Sequence, residues 1–251
     1  MKKYNGIIIY KGASLLDGAP IVVIATGLKN KSANTKTGAM VQTYILRADI
    51  TPVQAVKTGA DKSVCGNCPH TGTLGVGRTC YVNVGQGAQS VYKAYMRGAY
   101  PIADSGDITD TGLNRIVRLG TYGDPAAVPV SVWNTLILGA TAYTGYTHQW
   151  RNAPALKTLC MASADNETDA LTARAQGWRT FRVAMPCDAP KMKLESVCPA
   201  SAEAGKKLTC ATCRACDGTG TNRRGSIVIQ AHGGFAVMAN VRKRSSISIA
   251  A

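Results

Sequence analysis

Seven of the nine cysteines in this chain fall into two groups whose spacing suits a metal. Cys65, Cys68 and Cys80 follow a C-x2-C-x11-C pattern, and Cys198, Cys210, Cys213 and Cys216 follow C-x11-C-x2-C-x2-C. Two thiolates two residues apart can reach one ion from a single turn, which serves zinc and iron equally. The count says more than the spacing. Four thiolates saturate a tetrahedral zinc or close a [4Fe–4S] cluster, whereas three leave a position for water, substrate, a cofactor or a further residue such as His70. One reactive site and one closed site are therefore expected, the closed one holding either a structural zinc or a cluster. His232, in "IQAHGG", either completes a Cys3His zinc set with Cys210, Cys213 and Cys216 or is an ordinary hydrogen-bonded polar residue. Cys160 and Cys187 stand alone and are expected to be small core residues.

The elements that must position these groups can be read from the bulk of the chain. Its 251 residues suffice for one sizeable domain with insertions, and 45% hydrophobic against 17% charged residues argues for a buried core. Twenty-nine Lys and Arg against 14 Asp and Glu give a net charge of +15, spread along the chain. Either a polyanionic partner, most simply nucleic acid or a nucleotide, or a basic surface kept for solubility explains it. The apolar run in "MKKYNGIIIYKG" is too short for a signal-peptide core, and no stretch of about 18 apolar residues exists to span a membrane. The expectation is an intracellular, cytoplasmic protein with reduced thiols, in which cysteines serve metal or redox chemistry. The sequence is silent on oligomeric state.

Residues 1–58 read as a β-rich extension: "GIIIY", "PIVVIATG" and "MVQTYILR" are β-branched runs, the last two joined by a polar, hairpin-like connection. From 59 to 251 helical patterns at 88–97, 129–142 and 166–176 alternate with strand patterns at 116–122, 156–163, 178–184 and 226–231. That alternation predicts an α/β fold with a parallel sheet, specifically a partial (β/α) TIM-like barrel of about six units carrying a Cys-rich insert at 198–217.

In such a sheet, function gathers where strands hand over to helices. "RLGTYGDP" places Tyr122, Gly123, Asp124 and Pro125 on one such loop, where Asp124 either aims at substrate or cofactor or simply fixes a turn. "TGYTHQWR" read as a strand puts Tyr146, His148 and Trp150 on one face, a stripe suited to stacking a base or to core packing, with Arg151 available for phosphate. In "MASADNETD", Asp165 or Asn166 caps the following helix, or Ser163 and Asp165 face the mouth of the barrel. "VGQGAQS" offers two glycines before a helix, where phosphate can sit, and the basic "NVRKRSSISIAA" is a nucleic-acid contact or a solvated tail.

The order of cysteine triple, "GDP" turn and "MASAD" with "GWRTFRV" resembles the radical S-adenosylmethionine enzymes over roughly residues 60 to 216. The chain is also similar to small phage-encoded proteins carrying "CGNCPH", "CYVNVGQG" and "YGDPAAVP". The first resemblance implies that Cys65, Cys68 and Cys80 ligate a reactive [4Fe–4S] cluster and that Cys198, Cys210, Cys213 and Cys216 hold an auxiliary one. It implies S-adenosylmethionine as co-substrate, bound by a turn at Gly123, Asp124 and Pro125. Cys65, Cys68 and Cys80 are spaced more widely than the superfamily's usual C-x3-C-x2-C. The resulting expectation is an iron–sulfur enzyme acting on a nucleotide or nucleic-acid base, with Asp124 and His148 facing the reactive metal, Ser163 and Asp165 near the cofactor, and Tyr122, Tyr146, Trp150 and Arg151 on the substrate. Two alternatives stand beside it: a zinc-dependent base-exchange enzyme resembling the queuine transglycosylases, and a non-enzymatic, zinc-stabilised nucleic-acid-binding protein.

Overall fold

The computed structural model describes residues 3–72, 77–184, 191–205, 208–220, 225–233 and 237–241. Cys187 and the basic segment from Arg242 onward lie outside them.

The three β-branched runs form β1 (Gly6–Ala13), β2 (Pro20–Thr26) and β3 (Val41–Arg47), paired antiparallel in chain order. They do not stand apart from the rest. β3 pairs parallel with β4 (Ile116–Tyr122), and β5 (Ala142–Thr147), β6 (Met161–Ala164) and β7 (Thr180–Ala184) are added parallel, one after another. β9 (Ser226–Gln230) then pairs with β7, and β8 (Glu195–Val197) closes the edge beyond it. The result is one nine-stranded, mostly parallel sheet in the order β1-β2-β3-β4-β5-β6-β7-β9-β8, open at both edges. The expected α/β class is found.

Between β3 and β4 run α1 (Pro52–Thr58), the single turn α2 (Lys62–Cys65), α3 (Gly87–Met96) and α4 (Ser105–Gly112). α5 (Val130–Ile137) connects β4 to β5, α6 (Glu167–Ala175) connects β6 to β7, and α7 (Cys210–Cys213) lies between β8 and β9. Among the described residues no helix is long and apolar enough to cross a membrane.

Parallel strands added in chain order with right-handed crossovers put their helices on one face of a sheet. The period-2 alternation of each strand shows which face that is. On β4, Val117 and Leu119 are fully buried in the main core with Trp133 and Leu136 of α5, while Arg118, Gly120 and Tyr122 point the other way. Thr144 and Tyr146 of β5, Ser163 of β6, and Phe181 and Val183 of β7 share that second face. Together they floor a cavity of about 860 Å³.

Candidate metal and substrate cavity

The carboxyl ends of β4, β5, β6 and β8 meet at the rim of this cavity. Gly123 and Asp124 follow β4, His148 follows β5, Asp165 follows β6, Cys198 follows β8, and each lines the cavity. Both cysteine groups also line it.

The first group is built by a loop pinched at its neck. Cys65 ends α2, Gly66 turns the chain at φ 62°, and the backbone N–H of Cys68 returns to the Cys65 carbonyl at 3.3 Å. The carbonyl of His70 then accepts the backbone N–H groups of Thr79 (3.2 Å) and Cys80 (3.0 Å), so residues far apart in the C-x11-C spacing become neighbours. Arg78, paired with the buried Asp61 at 3.0 Å, lies beside Cys80 and Cys65. Burial pushes the Cys65 thiol well above its usual range, and its neighbours Cys68, Asp61 and Cys80 push it further. Burial raises Cys80 as well, and the Arg78 charge partly offsets it.

The second group is held by the strands themselves. The N–H of Cys198 donates to Val228 of β9 at 2.8 Å, and Thr209 caps α7 so that Cys210 and Cys213 stand on one turn. Arg214 in the left-handed conformation (φ 54°) turns the chain into Ala215 and Cys216, and the Cys216 carbonyl accepts the N–H of Gly145 in β5 at 3.1 Å. The buried guanidinium of Arg179 fixes the chain around this turn, donating to the carbonyls of Ala215, Asp217, Gly218 and Gly225 and to the Asp217 carboxylate. Burial pushes Cys216 up to about 12, against the nearby Tyr146 hydroxyl, which favours the thiolate. Metal-free Cys216 is therefore held as the thiol, and the thiolate is the alkylating form. Iodoacetamide is therefore expected to label Cys216 at least about a hundredfold more slowly in native protein than in guanidinium, read by peptide mass spectrometry. Equal rates would contradict the placement.

Between the groups lies a cluster absent from any local pattern. His70 Nε2 is 2.7 Å and His148 Nε2 3.4 Å from the same oxygen, Oδ1 of Asp165. The rings are 5.4 Å apart, edge to face, and Cys68 Sγ is 4.0 Å from His148 Nε2. Burial disfavours the charged forms of both Asp165 and His148, yet their mutual bonding wins. His148 sits well above its ordinary value, with help from Cys68, and Asp165 sits well below the carboxylate range, with His70 adding to the effect. These are the only three His, Cys, Asp or Glu side chains among the described residues whose ligand atoms lie within 4.8 Å of one another.

No family model, curated protein or solved structure matches this chain.

Of the expected site residues, Tyr122, Gly123, Asp124, Tyr146, His148, Ser163 and Asp165 do line the cavity. Asp124 is buried there, and its carboxylate accepts the Ala126 N–H (2.9 Å), the Thr147 hydroxyl (2.7 Å) and the His148 N–H (2.8 Å). That makes it a tie between two strand ends rather than a group aimed at a ligand. Burial, the largest influence, lifts its carboxyl above the usual range despite those three donors.

Trp150 and Arg151 correct the expected stripe. β5 ends at Thr147, so Trp150 is not in phase with Tyr146; it is 2% exposed, and its indole N–H donates to the Ser163 carbonyl at 3.2 Å. Arg151 stacks on the Trp150 ring and pairs with Asp169, outside the cavity wall. Pro125 is buried in the turn beside the cavity lining. His232 is exposed at the rim, its Nδ1 2.8 Å from the Gln230 carbonyl and its ring edge on Tyr81. Cys160 is fully buried in the core, as expected. The glycines of "VGQGAQS" open α3 at the cavity wall, where Gly87 packs under the Tyr44 hydroxyl.

Four polar atoms of the floor have no partner among the described residues: Arg118 Nε, Thr121 Oγ1, the Tyr122 hydroxyl and Thr144 Oγ1. Buried polar groups left unpaired are costly, and these four, closed to solvent, are grouped at residues that line one cavity. Sequence reasoning passes over Arg118, Thr121 and Thr144. Arg118 carries a local signal, a charged residue inside a strand whose flanking Val117 and Leu119 are apolar.

Proposed function

We propose that the chain is a metal-dependent, iron–sulfur enzyme of the radical S-adenosylmethionine-like kind, acting on a nucleotide or nucleic-acid base in the cavity between its two cysteine groups. The observation that carries the reading is the convergence of both groups, from opposite ends of the parallel sheet, on one cavity. An open sheet whose parallel strands β3 to β7 follow chain order, with β9 and β8 added beyond them, is compatible with a partial (β/α) barrel.

Three thiolates leave one iron of a [4Fe–4S] cluster, or one position of a tetrahedral zinc, without a cysteine ligand, whereas four close either. Cys65, Cys68 and Cys80 would hold a cluster with one iron open to the cavity, and Cys198, Cys210, Cys213 and Cys216 a closed one. A bound cluster supplies single electrons to whatever occupies the cavity.

The protein's own residues do the rest. Arg78 places a positive charge beside the thiolates of the first group, which eases the assembly of several anions in a buried site. The cavity lies within the range that suits a nucleotide-sized ligand, roughly 300–1,000 Å³. Arg118 sits over the Tyr146 ring, 5.6 Å from its centre, and Phe181 meets Tyr146 edge to face at 4.8 Å, an aromatic and cationic surface beside which a base can stack. The "GDP" turn does not repeat the resemblance in full, because the Asp124 carboxylate is spent on Thr147 and His148.

Anaerobic purification or reconstitution with iron and sulfide tests the reading. Brown protein with iron and acid-labile sulfide near four each per cysteine group is expected, and Cys80→Ala should lose one group's share while keeping its fold by circular dichroism. Zinc alone, or iron unchanged in Cys80→Ala, overturns it.

A further inference from the structure

We propose that His70, His148 and Asp165 form a separate, mononuclear site for a divalent transition-metal ion, with an open coordination face turned to the cavity. The inference does not depend on clusters at the cysteine groups.

The geometry is that of a ligand set. Donors about 2.1 Å from one ion stand about 3.0 to 3.4 Å apart in octahedral or tetrahedral coordination. The separations from Asp165 Oδ1 to the two Nε2 atoms, 2.7 and 3.4 Å, bracket that range. Two imidazoles and one carboxylate are the set that binds iron(II) or zinc and leaves room for substrate.

The surroundings are those of a ligand set as well. Metal-binding histidines hand their second ring nitrogen to a partner that fixes tautomer and orientation. His70 Nδ1 is 2.8 Å from the buried Thr79 hydroxyl, which can take the Nδ1 proton and leave the Nε2 lone pair for an ion. The backbone on either side of that contact is closed by the His70 carbonyl with Thr79 and Cys80. His148 is held through its backbone N–H by Asp124, and Asp165 is free of capping duty because Asn166 caps α6 through the Asp169 N–H. All three side chains are only partly exposed, at 15, 20 and 19%, and all open onto the cavity. Cys68, 4.0 Å from His148 Nε2, puts the reactive cysteine group against this site without belonging to its three-atom set.

Cobalt(II) is the probe, added anaerobically to metal-free full-length protein, because thiolate-bound cobalt gives intense charge-transfer bands that nitrogen and oxygen ligands do not. Binding is followed by equilibrium dialysis and by the spectrum in a protein with Cys65, Cys68 and Cys80 replaced by Ser. Beyond the thiolate-banded cobalt taken by the intact four-cysteine group, one further cobalt per chain without thiolate bands is expected there, weakened at least about a hundredfold in the same background by His70→Ala or Asp165→Asn. Thr79→Val leaves every ligand in place and should weaken it about tenfold, so the assignment stays testable if a ligand variant misfolds. Cobalt binding that is lost with the three cysteines, or that is indifferent to His70→Ala, Asp165→Asn and Thr79→Val in folded proteins, overturns the proposal.

Discussion

Glu195→Ala should destabilise the protein by about 3–5 kcal/mol, because it breaks a fully buried ion pair by removing the carboxylate alone. Arg182 lies on the helix-side phase of β7, opposite to Phe181 and Val183, and its side chain is fully buried. Glu195, equally buried, accepts from its Nε at 3.0 Å and its Nη2 at 2.8 Å, and also takes the Met192 N–H at 2.9 Å. The pair spans β9, tying β7 directly to the edge strand β8. Removing the carboxylate alone takes away the acceptor at Nε and Nη2 of a buried guanidinium, whereas Arg182→Met with Glu195→Leu removes both charges and should recover most of the loss. Urea unfolding of the three proteins measures this; a single variant within 1 kcal/mol of the parent would refute the buried pair. The effect reaches the site through the chain, since β8 delivers Cys198 to the cavity. If both cysteine groups bind metal as proposed, the single variant should also lose it from the second group before the first.

How far the sequence foretells this arrangement depends on whether a feature is local. The strand expected at 116–122 is β4 to the residue, because alternating apolar residues and a following glycine turn are written in the segment. The pattern at 156–163 becomes strand only from Met161, since Pro154 opens a short helical turn and the N–H of Cys160 still returns to Leu156. The helix expected over 129–142 stops at Ile137, where Leu138 is extended and Gly139 takes φ 78°. α1 and α4 carry local signals that periodicity alone overlooks: Thr51 with Gln54 and Asp104 with Asp107 are capping boxes.

The site itself is legible in part. Strand ends facing one cavity follow from parallel topology, so Asp124, His148 and Asp165 can be placed there without coordinates. Their partners cannot. That His70 meets Asp165, or that Asp124 reaches Thr147 and His148, is decided by register between neighbouring strands and by the closure of a loop, neither of which leaves a periodic trace. For the same reason Trp150 reads from sequence as a stacking platform: beyond the end of a strand, the alternation that would expose it no longer holds.

Asp124→Ala should cost about 3 kcal/mol, since two buried N–H donors, those of Ala126 and His148, lose their acceptor while the Thr147 hydroxyl can rotate toward another. Asp124→Asn keeps one acceptor oxygen and the shape of the side chain, and should cost about half as much. The two variants separate positioning from chemistry. If Asp124 acts by holding His148, both should weaken cobalt binding at the His70, His148 and Asp165 set in proportion to the stability they lose, although neither touches a ligand. If it instead contacts the substrate directly, Asp124→Asn should abolish turnover or nucleotide binding while leaving cobalt affinity and urea midpoint close to those of the parent. The three donors already aimed at its two oxygens favour the first outcome: little of that carboxylate is left for a substrate to use.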